Sequence, residues 1–429
     1  MNCENMEKWR FTMCSIKKIL NITILTLLPF WVFAQQRVMT LDSILMRIKQ
    51  NNPQLLQYDD RIKAVEESAK GAKAWMAPMA GAGTFMTPYP GQMAEEPNDQ
   101  GQFMISLEQD IPNPAKLNAK ANYLKSKAGI ETQNKNVSYN ELRSQAKKLY
   151  YEWLVLDKKI VVLQQNKEIL QTMKKLGEIR YTYNQGLLSS IYKTEGRIGE
   201  VDDMLIETTS KILENKYWMR GLMNVPYDFD FTIDTTFKVK YDEEVLPDTA
   251  YLSSVRSDIQ RMNETIQSMK LNQAAMRSEA KPDFKIKFDH MSGYNPHMPQ
   301  QYTLMGMVSI PIVPWASKMY KSGVKQMDYE IEAMKKERQA MLNQMSGMSF
   351  SMKQGIHTME HHLMNYEMTI LPALKKSFET LMISYQENKL DLPLVIDGWE
   401  ALNMAQMKYL EQKQQYYQMI VDYEKQLEK

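Results

Sequence analysis

Residues 101–112 read GQFMISLEQDIP, and this stretch decides between the folds open to the chain. Phe103, Ile105 and Leu107 alternate with Gln102, Met104, Ser106, Glu108 and Asp110, so a strand here would place the first three on one face. The same alternation returns in residues 284–288. Its pattern is typical of a membrane barrel with lipid outside and water inside, although a half-buried soluble sheet has the same period. The apolar members are Phe103, Ile105, Leu107, Phe284, Ile286 and Phe288.

Two further segments, residues 80–89 and residues 302–310 with Leu304 and Val308 on the apolar face, complete two predicted hairpins. Each segment is close to the length that a tilted strand needs to cross a bilayer. The flanking helices are too long to fold back over the apolar face, which favours the membrane. Four strands cannot close a barrel, and strand edges in lipid must be paired, so we expect other copies of the chain to complete it.

A heptad pattern runs through the segment that follows the first strands. Residues 115–183 contain no proline, so a continuous helix there would be about 100 Å long. Leucines recur every seven residues, with apolar residues between them, which predicts a coiled-coil seam. The seam consists of Leu142, Ala146, Leu149, Trp153, Leu156, Ile160, Leu163 and Leu170.

The corresponding helix of the second half carries two stripes. One predicted seam consists of Met348, Met352, Ile356, Met359, Leu363, Tyr366 and Ile370. The other consists of His357, His361, Met364 and Met368. Two seams on one helix require neighbours on both sides, as in a sheet of helices closed into a tube. A helix buried in an ordinary bundle is the alternative.

The order of helix, strand pair, very long helix and long helix occurs twice, at an offset near 200 residues, which indicates an internal repeat. Pro78 corresponds to Pro282 in this alignment, and Tyr183 corresponds to Tyr385. We therefore divide the chain into a first repeat at 35–225, a linker at 226–247 and a second repeat at 248–429. Apolar residues alternate with polar residues at 229–233 and again at 237–241, which predicts a small β-hairpin in the linker.

The first 34 residues have the features of a secretory signal peptide. Lys17 and Lys18 precede an apolar run over residues 19–33, and Ala34 follows it. A membrane anchor is the alternative, but the run contains a proline and is shorter than a bilayer-spanning helix. The formal net charge of the chain is +2, so its charge gives no reason to expect a nucleic acid partner.

These segments resemble the TolC-type family of outer-membrane efflux proteins. The resemblance rests on LDSIL at 41–45, NNPQL at 51–55 and the prolines that precede the strand pairs. It implies an α+β homotrimer, with twelve strands in one barrel in outer-membrane lipid and the helices in a periplasmic tube. It also implies docking to a periplasmic adaptor, or membrane fusion protein, and to an inner-membrane pump.

The resemblance further implies that the tube narrows at two tip turns. The second turn departs from the family pattern, because Asn388 stands in place of glycine and Leu390 in place of a basic residue. In the first, Tyr192 replaces an acid. Closure is therefore expected to be hydrophobic or to use Lys389 and Asp391. The predicted tip and gate residues are Tyr183, Gly186, Tyr192, Tyr385, Asn388, Lys389, Asp391 and Asp397.

Residues 357–361, HTMEH, fit a zinc-protease pattern, but they belong to a heptad register and no third ligand is indicated. The second stripe on this helix is also suited to Cu(I) or Ag(I), although methionine commonly fills irregular helix interfaces. We prefer packing, and keep His357, His361, Met364 and Met368 as weak metal candidates. No other catalytic or phosphate-binding motif has supporting context, so we predict no catalytic residue, no cofactor and no enzymatic activity.

These patterns together favour a passive exit duct for small toxic compounds. Three alternatives stay open at the level of sequence: a copper or silver efflux duct, a duct for type I protein secretion, and a periplasmic coiled-coil scaffold without a pore.

Overall fold

The computed structural model describes residues 37–92, 96, 100–241 and 246–429, so the predicted signal peptide at 1–34 lies outside the described residues. The strands are β1 (Arg37–Met39), β2 (Met79–Phe85), β3 (Gln102–Ile111), β4 (Phe231–Ile233), β5 (Phe284–Gly293) and β6 (Gln301–Val308). The helices are α1 (Leu41–Asn51), α2 (Pro53–Gly71), α3 (Pro114–Thr182), α4 (Leu188–Met223), α5 (Thr249–Val255), α6 (Ser257–Ser278), α7 (Pro314–Asn365), α8 (Leu371–Gln386) and α9 (Leu392–Leu427).

Helix α3 confirms the predicted continuous helix, with 69 residues and a length of about 100 Å. Asn113 caps its first turn by accepting a hydrogen bond from the Ala115 amide, and Pro114 follows, where its missing N–H costs nothing. The predicted seam faces inward. Its buried members are Leu142, Ala146, Trp153, Leu156, Leu163 and Leu170, while Leu149 and Ile160 are half-buried.

The second long helix is interrupted, which the sequence pattern did not predict. A π-helical turn, Tyr366–Ile370, separates α7 from α8. Pro372 lies just after this turn and has no N–H to donate, so the local change of helical winding absorbs the missing bond. The helices that follow the two long rods, α4 and α9, each have 36 residues. In the described part of the chain, no helix combines the length and apolarity that crossing a bilayer requires.

Four strands form one antiparallel sheet in the order β2-β3-β5-β6. The two predicted hairpins are confirmed, and β3 and β5 join them by pairing along their full length, from Gln102 opposite Gly293 to Ile111 opposite Phe284. The outer strands are shorter than or shifted from the predicted segments, because β2 ends at Phe85 and β6 ends at Val308.

The predicted linker hairpin is wrong. Strand β4 pairs in parallel with β1, with Phe231 opposite Arg37, and residues 237–241 are not a strand. Alternation indicates only that one face is buried, and it does not identify the partner strand. Phe231 packs against Trp153 of α3, whereas Phe237 packs against Tyr150 and Tyr151 as a loop residue.

The hydrophobic core is divided along α3. One cluster surrounds Tyr150 and Trp153, where α1 and the β1–β4 pair cover the helix. Another surrounds Leu170 and Trp399, near the far end of α3, where α4, α8 and α9 meet it. The four-stranded sheet lies at one end of a long helical body, and the α3–α4 and α8–α9 turns lie at the other end.

Candidate functional site

The eight strand residues predicted to be apolar share one face of the sheet. Leu107 pairs with Phe288, which pairs with Leu304, and residues directly opposite in a ladder lie on the same face. All eight are exposed, with exposed fractions between 39% and 67%. In a single chain this apolar face is therefore open. Its members are Phe103, Ile105, Leu107, Phe284, Ile286, Phe288, Leu304 and Val308.

The opposite face of the sheet carries the charged side chains of β3 and β5, which are paired with one another. Lys285 forms ion pairs with Glu108 and, at 3.3 Å, with Asp110 across the β3–β5 ladder. Asp289 accepts a hydrogen bond of 2.6 Å from the Ser106 hydroxyl and forms an ion pair of 3.1 Å with Lys287. The contacts of Lys285 with Glu108 and Asp110 and of Ser106 with Asp289 cross between β3 and β5, so the two hairpins are joined by side chains as well as by backbone.

Both outer strands of this sheet have an open edge. Strand β2 pairs with β3 and strand β6 pairs with β5, and neither has a second neighbour among the described residues. An unpaired strand edge presents a row of amide and carbonyl groups that can pair with another chain. The sheet therefore combines an exposed apolar face with two edges that are able to extend it.

The two tip turns, α3 to α4 and α8 to α9, have the same backbone geometry. Asn184 and Asn388 both have left-handed backbone angles, with φ of 62° and 61°. Each helix end closes with a backbone bond across five residues, from the Gln185 amide to the Arg180 carbonyl and from the Lys389 amide to the Ser384 carbonyl, both at 2.9 Å. Asparagine tolerates left-handed angles better than most residues, which suits it to both turns.

This geometry corrects the alignment of the tips by two residues. Asn388 corresponds to Asn184, 204 residues earlier, and not to Gly186. Tyr385 therefore corresponds to Tyr181, and not to Tyr183 as the sequence alignment predicted. The sequence alignment matched the Tyr-x-x motif of the two tips. The correct register is instead set by the backbone hydrogen bonds at each helix end, which the motif does not encode. The environments differ accordingly, since Tyr183 is 73% exposed and Tyr385 is 3% exposed.

Arg180 fastens the two tips together. Its guanidinium carbon lies 3.9 Å from the centre of the Tyr385 ring, and its Nη2 donates a hydrogen bond to the Tyr385 carbonyl oxygen. A cation over an aromatic face and a charged donor on a carbonyl are both favourable when partly shielded from water. Burial raises the pKa of the Tyr385 phenol. No repeating pattern in the sequence singles out Arg180, whose one signal is a cation in the last turn of a helix.

The remaining predicted tip residues fall into two groups. Gly186, Tyr385 and Asp391 line one small cleft between the two turns. The others lie outside it: Tyr183 and Tyr192 are exposed, Lys389 forms an ion pair of 2.6 Å with Glu387, and Asp397 forms one of 2.9 Å with Lys193. The structure thus brings part of the predicted gate set together around the cleft.

Gly177 is a second tip residue that the sequence analysis missed. A methyl group added there would lie 2.9 Å from Leu392 Cδ2 and 3.4 Å from Ile191 Cγ1. Such a distance is too short for carbon atoms, so only glycine allows α3, α4 and α9 to approach this closely. Its signal in the sequence is a glycine inside an otherwise uninterrupted helix.

Above the tips, buried polar residues tie α3 to α9. The Asn166 side chain is 2% exposed and accepts a hydrogen bond of 2.9 Å from the Trp399 indole N–H. The same side chain donates to the Gln406 amide oxygen at 2.9 Å. Paired polar groups in an apolar environment fix the register of two helices, because any slip leaves them unsatisfied.

The seams predicted on the second long helix differ in burial. Ile356 and Leu363 are buried against the rest of the chain, with Met352, Met359, Tyr366 and Ile370 half-buried beside them. Met348 is a wrong member of this seam, because it is exposed and the neighbouring Ser349 is buried in its place. The second stripe is open to solvent.

We call this open surface the α7 stripe; it comprises Phe350, His357, His361 and Met364 of α7 and Met368 of the π-helical turn, all of them exposed. At 100° per residue it lies roughly 150° around the helix axis from the buried seam.

Helix α4 has a similar open surface. Tyr192, Ile206 and Leu213 fall on one heptad line and are between 48% and 67% exposed, and we call them the α4 stripe. They point away from Val201 and Met219, which are buried on the side of α4 that faces α3. The body formed by the helices thus has one exposed stripe at each lateral margin.

The weak metal candidates are brought together only in part. The Nε2 atoms of His357 and His361 are 3.3 Å apart, and both side chains are exposed. Within the residues that the structure describes, no group of three or more His, Cys, Asp or Glu side chains converges in a way that would hold a metal ion. The zinc-protease reading therefore lacks the third ligand that it requires.

Comparison with known proteins places this geometry in a class. No protein-family model and no curated protein sequence matches the chain. Solved structures do match it. The outer-membrane channel OprN is 10% identical, with a TM-score of 0.72 over 90% of this chain and 89% of its own. CusC, described for its transmembrane channel formation, is 11% identical, with a TM-score of 0.71 over 90% and 91%.

A third structure is the open state of the Neisseria gonorrhoeae MtrE outer membrane channel, which is 12% identical, with a TM-score of 0.69 over 90% of this chain and 88% of its own. The chain therefore has the fold of the TolC-type outer-membrane channels. The resemblance inferred from its sequence is confirmed at the level of fold.

Proposed function

We propose that this protein is the outer-membrane duct of a tripartite efflux system and forms a passive exit for small toxic compounds. The observation that carries the proposal is the four-stranded sheet, with an exposed apolar face, charged side chains of β3 and β5 on the opposite face and two open edges. Exposed apolar side chains on such a sheet are unfavourable in water and favourable in lipid. The structural neighbours are outer-membrane channels, which supports the same location for this chain.

The assembly we propose is a homotrimer. Three copies would join β2 of one chain to β6 of the next, which closes a barrel of twelve strands and removes every open edge. The α4 stripe of one copy would then face the α7 stripe of the next and close the helices into a periplasmic tube. Each stripe lies opposite its helix's own buried seam, which is the arrangement that a wall of side-by-side helices needs.

Export and the internal repeat belong to the same proposal. Residues 1–34 would be removed as a signal peptide during export to the outer membrane. The repeats at 35–225 and 248–429 would each supply one hairpin to the barrel and one set of helices to the tube, with 226–247 as the linker. The two hairpins, the equal lengths of α4 and α9, and the matching tip turns support this division.

The tips would be the periplasmic entrance, where an adaptor and an inner-membrane pump deliver the cargo. MtrE has been captured in an open state, which supports a tip that opens in channels of this fold. In this chain the Arg180–Tyr385 contact would hold the entrance closed. We propose no catalytic step, no cofactor and no nucleic acid partner, and the energy for transport would come from the pump.

A pair of adjacent substitutions on β6 tests the proposal. Leu304 lies on the apolar face and Met305 on the opposite face. An arginine on the lipid face near the middle of a bilayer costs about 2–4 kcal/mol, whereas an arginine facing water costs little. Leu304→Arg should therefore reduce insertion into the outer membrane strongly, and Met305→Arg should insert normally and change the conductance of the pore in planar bilayers.

The outcome that contradicts the duct is a wild-type protein that fractionates as a water-soluble monomer and gives no conductance. That result would favour the scaffold without a pore. Equal insertion of both arginine variants would also count against a lipid-facing sheet. Cargo is tested separately, by comparing sensitivity to small toxic compounds, to copper and silver salts, and the secretion of unfolded polypeptides in a deletion strain.

A further inference from the structure

We propose that His357, His361 and Met364 form a binding site for a soft transition-metal ion of the Cu(I) or Ag(I) class. The two imidazole Nε2 atoms lie 3.3 Å apart, and the ring centres are 4.6 Å apart. Both nitrogens are the outer atoms of their rings and lie within hydrogen-bonding distance of each other. A metal ion can bind both nitrogens after a small rotation of the rings, in place of the hydrogen bond between them.

Helical spacing places thioether sulfur next to this pair. His357, His361, Met364 and Met368 occur at intervals of four, three and four residues, so they lie one above another on one face. Met364 and Met368 are 55% and 75% exposed. Imidazole together with thioether is a ligand set that favours Cu(I) and Ag(I) over harder ions.

The four side chains are exposed and lie outside the buried seam of α7. Ile356 and Leu363 hold α7 against the rest of the chain, roughly on the other side of the helix. The histidine pair is therefore free to bind an ion without opening the core. Two charged residues of α7 are close in sequence to the histidine pair. Glu360 is exposed in the turn between His357 and His361, and Lys353 lies one turn before His357.

The metal site lies on the α7 stripe, which is also the surface that would meet the next copy in the proposed duct. Only its position between two copies rests on the proposed function, because all the ligands come from one chain. In the trimer there would be three such sites on the closing seams. An ion bound there would be held by the two exposed histidine side chains at the margin between two copies.

The test is a calorimetric titration of the purified full-length protein with silver nitrate and, separately, with copper(II) sulfate. We expect one ion per chain in each case. His357→Ala or His361→Ala should each weaken the binding of both ions at least about tenfold. Met364→Leu should weaken only silver, because Cu(II) prefers the imidazole nitrogens and Ag(I) also uses the thioether.

His362→Ala is the matched control. This exposed histidine follows His361 on the same helix but points roughly 100° away, so its loss should leave both titrations unchanged. Binding that persists in the His357 and His361 variants, or that disappears in the His362 variant, would overturn the assignment. So would a wild-type protein that does not bind silver.

Mass measurement and bilayer conductance on the same samples separate this proposal from the duct. A trimer that conducts and binds no metal would remove the metal site alone. A soluble monomer that binds one ion per chain through His357 and His361 would keep the site and remove the duct.

Discussion

The first tip, between α3 and α4, and the second tip, between α8 and α9, have the same backbone and different side-chain contacts. Both turns place asparagine in left-handed geometry, at Asn184 and Asn388. Tyr385 of the second tip is buried beneath Arg180, whereas its counterpart Tyr181 is 47% exposed. One difference between the tips lies at a single position, because the counterpart of Arg180 is Ser384, whose side chain is too short to cover a tyrosine ring.

The two turns are therefore equivalent in their backbone and different in their side-chain contacts. The second tip is fastened to the first within its own chain, while the first tip keeps Tyr181 and Tyr183 exposed on its other side. In the proposed trimer those exposed rings are available to the next copy or to an adaptor. An internal repeat can therefore supply one backbone twice and still make one closed contact and one open surface.

The largest effect is expected at the glycine that lets the tip helices approach. Leucine at position 177 would collide with Leu392 and Ile191, and overpacking of this kind costs about 1–3 kcal/mol. Gly177→Leu should therefore destabilise both tips, measured as faster amide hydrogen exchange over 180–190 and 385–395. Gly196→Leu is the matched control, because a side chain there meets nothing within 4 Å. Similar exchange in both variants would contradict the close packing of the tips.

Loss of the Arg180 contact should have the next largest effect. Arg180→Ala removes a cation–π contact and a charged hydrogen bond, together worth about 2 kcal/mol. We expect residues 385–391 to open about 30-fold more often by hydrogen exchange and the pore to open more frequently in planar bilayers.

Ser384→Ala changes the corresponding position of the other tip and should do neither. If that variant opened the pore as often as Arg180→Ala, the asymmetry between the tips would lose its functional meaning.

The two asparagines should give smaller and equal effects. Alanine is less favourable than asparagine in left-handed geometry, by about 1 kcal/mol. Asn184→Ala and Asn388→Ala should thus lower the thermal stability of the protein by similar amounts, and glycine at either position should be tolerated. A clear difference between the two alanine variants would show that the turns are not equivalent in their backbone.

The smallest effect is expected from the ion pairs that link α4 and α9. Lys193 lies 2.9 Å from Asp397 and 3.7 Å from Glu400, and these side chains are partly exposed. Pairs of this kind contribute about 0.2–1 kcal/mol and are screened by salt. Lys193→Gln should therefore lower stability slightly at low ionic strength and not at 1 M salt. An effect that persists in high salt would indicate a contact other than an ion pair.

Much of the architecture was predictable because it depends on local periods. The alternation in β3 and β5, the heptads of α3 and the absence of proline there all survive as predicted, since each concerns residues close in sequence. Predictions that paired distant segments fared worse. The linker hairpin was wrong because β4 finds its partner in β1, almost 200 residues away. The tip alignment was wrong because a short motif recurred two residues out of register.

The residues of the candidate site also differ in whether the sequence could predict them. The apolar strand residues were found by their period alone, whereas Arg180 and Gly177 were missed, because neither belongs to a repeating pattern. Their importance comes from the atoms that lie next to them, and those atoms belong to Tyr385 and Leu392, more than 200 residues further along the chain.

By itself the sequence determined that the chain has strands with one apolar face, helices of exceptional length and stripes that require neighbours. These follow from side-chain solubility and from the geometry of regular secondary structure, which act on nearby residues. Only the tertiary structure decided which strands pair, how the tips align and which tyrosine Arg180 covers. Those choices depend on where the backbone returns after a long path, and no local pattern encodes that position.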